Sequence, residues 1–341
     1  MKKISLILLF LFLFASQAFA FHGVRWELNV SAAGSIIINQ NNLLFGDVMG
    51  KFYAVNKNTG SVVWTYQDNG GSIMGTPAVI DGKVIFVAAD GGITCLNLND
   101  GSLVWDYSPS QNYNDGIADG VTAGAGLAFI SKADTKLYAL DVNTGNTVWT
   151  FQANEQGLRA APVYSDGLVF LGEYNGIFDI INAKTGKREN GGGAGGAVNT
   201  PAVNNGNVYF SSWDGSVQAV KIKAVIPLWN VNIKDPVTTA PVVSDGIIAV
   251  GTGRGYVTAL SEKDGSILWQ FNCENGSVSA TPIIANGKVF AFPEGGNIYE
   301  LDAKSGRLRN KFETGGIISS PAYSDGVIYF SSDGKVCALS E

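Results

Sequence analysis

The chain has 341 residues, 43 of them glycine, a single histidine and a formal net charge of −6. An acidic balance disfavours nucleic acid and anionic lipid as partners, because both are bound by basic surfaces. One histidine, His22, is too few for a multi-histidine metal centre, and no second imidazole exists to serve a Ser-His-Asp or Cys-His arrangement.

The chain opens with a leader. Lys2 and Lys3 precede an apolar run over 4–14 broken only by Ser5, and Ala18-Phe19-Ala20 places small residues where a signal peptidase reads. The run is shorter than the roughly 20 apolar residues that span a bilayer. A signal peptide over 1–20 is therefore expected, with a mature chain over 21–341 exported to the periplasm or beyond the cell. No Cys follows Ala20, so no lipid anchor is expected, and no later stretch has the length and apolarity of a transmembrane segment.

Beyond the leader the chain repeats. FYAVNKNTGSVVW over 52–64 returns as ITCLNLNDGSLVW over 93–105, LYALDVNTGNTVW over 137–149 and VTALSEKDGSILW over 257–269. Weaker copies surround Gly186, Trp229 and Gly306. A second signal precedes each copy: Thr76-Pro77, Thr122-Ala123, Ala161-Pro162, Thr200-Pro201, Ala240-Pro241, Thr281-Pro282 and Ser320-Pro321, with Ser35-Ile36 in the first. Eight copies result, and such periods mark repeat architectures.

Each copy reads as four strands, A to D. In the second, 78–80, 84–88, 93–96 and 103–107 are β-branched or aromatic runs separated by Asp81-Gly82, Asp90-Gly91 and Asn99-Asp100-Gly101. No amphipathic helix is evident. Short strands at even spacing with one aromatic per repeat predict an all-β, eight-bladed β-propeller of four-stranded antiparallel blades. The eighth copy lacks strand D, and residues 24–30 form an orphan strand of that kind. Joining the two completes the last blade, closes the ring and leaves one domain over 21–341.

Six of the seven tryptophans (Trp26, Trp64, Trp105, Trp149, Trp229 and Trp269) share one position of strand D, which predicts packing between blades rather than a ligand. Blades 4 and 7 carry Asn190 and Asn310 there, amid Lys184, Lys187, Arg188, Arg307, Arg309 and Lys311; charges on an outer strand blunt an edge. Cys95, Cys273 and Cys337 have no metal-ligand spacing and are expected to be small core residues, with Cys95 and Cys337 at equivalent repeat positions.

Ligands on such a ring are expected at the B–C and D–A loops around the channel. The distinctive loops are 172–176, 211–215, 251–255 and 292–295. Trp213 is the one tryptophan off the repeat position. Arg159 and Arg254 have the guanidinium geometry to grip a carboxylate or phosphate. Glu173, Asp214 and Glu294 are positioned to balance them, and Tyr174 adds a second aromatic. These seven residues are the candidate ligand site; no catalytic and no metal-ligating residue is expected. Residues 191–196, all glycine except Ala194, lack the Lys-Ser/Thr and helix of a phosphate loop and are expected to form a flexible D–A connection. Asn29 and Asn275 fit glycosylation sequons.

The motif Ala-Leu-Asp-x-x-Thr-Gly, followed by Trp and preceded by Thr-Pro, resembles the propeller repeat of the pyrroloquinoline-quinone (PQQ) proteins over essentially the whole mature chain. One branch, the quinoprotein alcohol dehydrogenases, implies PQQ and Ca²⁺ on the axis. It also implies a vicinal disulfide, and this chain has no Cys-Cys pair. The other branch, the outer-membrane assembly lipoprotein, implies a compact scaffold with a protein partner; the lipid-modified Cys of that branch has no counterpart here. The favoured expectation is an exported, non-catalytic scaffold with no cofactor. The alternatives are a PQQ- and calcium-dependent oxidoreductase and a saccharide- or peptide-binding propeller.

Overall fold

The computed structural model describes residues 23–107, 120–132, 134–154, 157–158, 160–224, 226–274, 276–316 and 321–341. The expected leader over 1–20 therefore lies outside the described residues. Every regular element among them is a β-strand, and the strands group into eight four-stranded antiparallel sheets. Blades 1 to 7 run over 37–67, 78–107, 121–152, 163–193, 202–232, 242–272 and 278–313. Blade 8 takes three strands from 322–340 and its fourth, Gly23–Leu28, from the other end of the chain. Val24 faces Leu339, Trp26 faces Ala338 and Leu28 faces Val336, so the ring closes as the orphan strand required.

The A–B turns explain much of the Asp-Gly and Asn-Gly content. Asp81 and Gly82 both have positive φ (46° and 71°), the type I′ geometry whose twist matches the strands it joins. Strand A lies innermost, and the A strands of neighbouring blades approach one another around a central channel. Strand D is the outer edge of every blade, and each one is bulged. Trp64 faces Ala54 while Val62 faces Val55, which leaves Val63 unpaired. The same slip leaves Val104, Val148, Glu189, Leu228, Leu268, Arg309 and Arg25 unpaired in the other seven. A bulge bends an edge out of the flat ladder that a foreign strand would need.

The core is not one mass but eight, each between two adjacent blades. At six of these seams a tryptophan on strand D is seated on the C–D turn of the next blade. The Trp105 indole N–H donates to the Val142 carbonyl at 3.0 Å, and its ring lies on Gly145. A Cβ on Gly145 would meet that ring at 2.8 Å, and φ of +73° already favours glycine there. Trp26 with Gly60, Trp64 with Gly101, Trp149 with Gly186, Trp229 with Gly265 and Trp269 with Gly306 repeat the arrangement, each with its indole bonded to a carbonyl of the same turn.

A third partner completes the pattern. Across the C–D ladder each tryptophan faces a small residue: Ala54, Cys95, Ala139, Ala219, Ala259 or Ala338. Blades 4 and 7 depart at both the tryptophan and the residue opposite it. Asn190 faces Ile180 and Asn310 faces Glu300. The glycine that a tryptophan on blade 4 would need is also missing: Val225 stands four residues before Trp229.

The three cysteines are buried and free, and burial pushes their thiols up to about 12, 12 and 11 for Cys95, Cys273 and Cys337. The expected equivalence of Cys95 and Cys337 is corrected. Cys95 faces Trp105, whereas in blade 8 Trp26 faces Ala338, and Cys337 lies one residue earlier. One residue along a strand reverses the face. Cys95 thus enters the seam between blades 2 and 3, and Cys337 the seam between blades 7 and 8.

Candidate functional site

The D–A and B–C loops meet at one end of the channel. Val198 bridges to Ser212, and Val237 to Thr252. Between blades 4 and 7 they enclose a cavity of 320 Å³. Its floor and walls are short polar and small residues from three successive connections, including Asn199, Thr200, Thr238, Thr239, Ser279 and Thr281. Tyr174 and Trp213, from the B–C loops of blades 4 and 5, stand over it and remain 49% and 57% exposed. No Asp, Glu, Lys or Arg is among the described lining residues.

The site is held by hydrogen bonds rather than by loop length. Asn199 accepts from the Trp213 indole at 3.2 Å and donates through its amide to Ser211 Oγ and the Val237 carbonyl, both at 3.0 Å. Ser211 Oγ donates onward to the Thr239 carbonyl at 2.8 Å. Thr238 Oγ1 donates to the Val278 carbonyl at 2.7 Å, which links blades 6 and 7. An apolar ring tethered by one polar atom over a hydroxyl-lined hollow can take a ligand by stacking and fix it by hydrogen bonds.

Of the seven residues singled out in the sequence, Tyr174 and Trp213 line this cavity. Arg159 lies outside the described residues. Asp214 accepts from Ser216 N at 2.9 Å in its own turn and from Gly195 N at 2.7 Å in the preceding connection; these bonds hold its carboxyl below the usual range against the opposing effect of burial. Arg254 is 3.8 Å from Asp235 at the rim, and Glu294 is exposed on blade 7. Glu173 is turned inward and buried, bonded to Asn154 Nδ2 at 2.9 Å and in contact with Asp179. The glycine run is not wholly a connection. Gly191, Gly192 and Gly193 belong to strand D of blade 4, Arg188–Gly193. Two of them have little room for a side chain: a Cβ on Gly191 would meet the Arg188 guanidinium, and one on Gly192 the Phe178 ring.

The fold and these loops define an eight-bladed propeller built from PQQ-like repeats. The chain belongs to the family described as outer membrane protein assembly factor BamB, whose model matches residues 22–223 and 214–341. Among its relatives, the assembly factor BamB of Yersinia pestis is 24% identical over 68% of this chain and 55% of its own length. BamB of Escherichia coli K12 is 25% identical over 53% of this chain and 48% of its own. The tetrathionate hydrolase of Acidithiobacillus ferrooxidans is 24% identical over 82% of this chain and 58% of its own. The chain thus spans about half the length of the first curated relatives it matches. The crystal structure of BamB from Moraxella catarrhalis superposes with a TM-score of 0.81 at 16% identity, over 93% of this chain and 99% of that one.

Proposed function

We propose that this chain is an exported, non-catalytic propeller of the cell envelope that binds a protein partner at the channel mouth. The observation that carries the reading is the pair of half-exposed aromatics, Tyr174 and Trp213, held over an uncharged cavity by a fixed hydrogen-bond frame. Large, stiff side chains with a polar tip give contact area at small entropic cost. The relatives named as assembly factors support the same reading.

The axis suits PQQ and calcium poorly. Calcium takes six to eight oxygen ligands, several of them carboxylates. The described cavity lining offers hydroxyls and amides and no carboxylate, and no group of three His, Cys, Asp or Glu is placed to hold a metal ion among the described residues. The lining also has no cation among the described residues to pair with an acidic quinone.

The test is a photo-crosslinking residue at Ser279, on the cavity wall, and another at Asn143, on an exposed C–D turn. A discrete protein adduct from Ser279 alone is expected, and it should vanish when Trp213→Ala and Tyr174→Ala are combined. Identical adducts from both positions would refute the site. In parallel, the melting temperature of the mature chain should stay flat across a series of PQQ with Ca²⁺. A saturable rise, the signature of a ligand bound only by the folded state, would return the oxidoreductase reading.

A further inference from the structure

Behind Tyr174 lies a chain of buried polar side chains. Asp179, on strand C of blade 4 (Ile177–Asn182), and Glu173, at the head of the B–C loop, are each only 2% exposed. Their carboxyl groups are in hydrogen-bond contact. Arg188 Nε, from strand D, reaches Asp179 Oδ1 at 2.6 Å, with its guanidinium lying over Gly191. Asn154, from the connection between blades 3 and 4, donates to Glu173 from the other side. The charged groups that act on Asp179 are Glu173 and Arg188. Two carboxylates against one half-exposed cation leave an uncompensated buried charge, and two carboxylate oxygens cannot bond to each other without a proton between them.

The chain is tied to the channel mouth through its backbone. The Glu173 carbonyl accepts from Val198 N at 3.0 Å, and Tyr174 N donates to the Gly157 carbonyl at 3.2 Å. Val198 and Tyr174 both line the cavity. Gly172 fits so closely beneath Val198 that a Cβ there would lie 2.8 Å from the Val198 carbonyl.

We infer that Glu173 and Asp179 share a single proton, and that this proton holds the Tyr174 side of the channel mouth in place, so that the shape of the binding site is proton-linked. The inference rests on the reading of the mouth as a binding site. Burial, with Glu173 adding to it and Arg188 opposing, raises Asp179 to about 7, so the bond opens in the range where an envelope protein works. The sign follows from a folded value above the unfolded one. The stabilisation is complete below about 4, is lost as pH rises through about 7, and is absent above that.

The experiment reads the geometry of the mouth rather than partner binding, so it can fail independently of the proposed function. The mature chain is labelled with carbon-13 at its carboxyl groups and nitrogen-15 at its amides and titrated by NMR from pH 4 to 8.5. The Asp179 carboxyl is expected to titrate near 7, and the Tyr174 and Val198 amide signals should move with the same midpoint. In Asp179→Asn, which keeps a donor towards Glu173, those two signals should be flat from pH 5 to 8.5. In Glu173→Gln the Asp179 midpoint should fall by more than one unit, because the neighbouring negative charge is gone while Arg188 remains to oppose burial. Two carboxyls titrating near 4, or amides at Tyr174 and Val198 that ignore the carboxyl midpoint, would overturn the inference.

Discussion

Six seams of the ring are closed by a tryptophan, and two are not. Where the tryptophan is present, three positions on two blades agree: the indole, a small residue opposite it on strand C, and a glycine on the next C–D turn. Where it is absent, the small residue opposite changes too, to Ile180 in blade 4 and Glu300 in blade 7, and between blades 4 and 5 so does the glycine. Between blades 4 and 5 the larger Ile180 takes up volume, and Phe178 stacks on Phe210 with centroids 4.0 Å apart. Between blades 7 and 8 a polar set replaces it. Lys288 reaches Glu300 at 2.9 Å and Glu341 at 3.3 Å, while the Tyr323 hydroxyl donates to Glu341 at 2.8 Å. The asparagines are not idle substitutes. Asn190 and Asn310 each fold back to accept from the next N–H, at 2.7 and 2.9 Å, covering part of the outer edge. The lesson is that the seam, not the single residue, is the unit: residues on both blades change together when its chemistry is exchanged.

This contrast can be broken at several places. The largest effect is expected from removing residues 23–28, which takes away the fourth strand of blade 8 and Trp26 together. That chain should lose its cooperative melt; an unchanged melting curve would mean the closure contributes nothing. Next is Trp105→Ala, which should cost about 3–5 kcal/mol as a buried aromatic deletion, against roughly 0.5 kcal/mol for Asn190→Ala at the equivalent exposed position. Gly145→Ala should cost about 1–3 kcal/mol from its positive φ and the ring above it, and much less when Trp105 is already alanine. Additive losses in that double-mutant cycle, measured by denaturant titration, would show that the two residues do not act as one lock. The smallest effect is expected at the polar seam's outer face. Arg309 pairs with Asp302 near solvent, so Arg309→Ala should change stability by about 0.2–1 kcal/mol and by less in high salt.

The eight-fold organisation was legible in the sequence because glycine turns and the strand-D tryptophan each have a fixed place in the repeat. The second blade's strands A and D fall at 78–80 and 103–107 as read, strand B lies one residue earlier at 83–87, and strand C runs one residue further, to 97. Closure was legible for the same reason, as a strand without a blade and a blade without a strand. The site was less so. Tyr174 and Trp213 stand out as aromatics off the repeat, yet the hydroxyl wall escaped notice. Its signal is the recurring small polar tract before each proline, VNTP over 198–201, TTAP over 238–241 and SATP over 279–282, which reads as turn chemistry until the blades are set around an axis. Glu173 could not be placed from sequence, since its loop neighbour Tyr174 is exposed while it is buried; a single residue decides between water and core. Cys337 misled for a similar reason, an offset of one in the last repeat.

The tryptophan lock also gives the ring a direction. Each such contact has a knob on one blade and a socket on the following one, never the reverse, so neighbours join head to tail as subunits do in a heterologous ring. A mutual, two-fold contact would satisfy both partners at once and stop at a pair of blades. A vectorial one leaves an open socket at one end and an open knob at the other until the curvature brings them together. Gly60 in blade 1 is that waiting socket, and Trp26, carried by the strand that completes blade 8, is the knob that fills it. Counting to eight is thus written into the angle between blades, while the order of counting is written into the indoles.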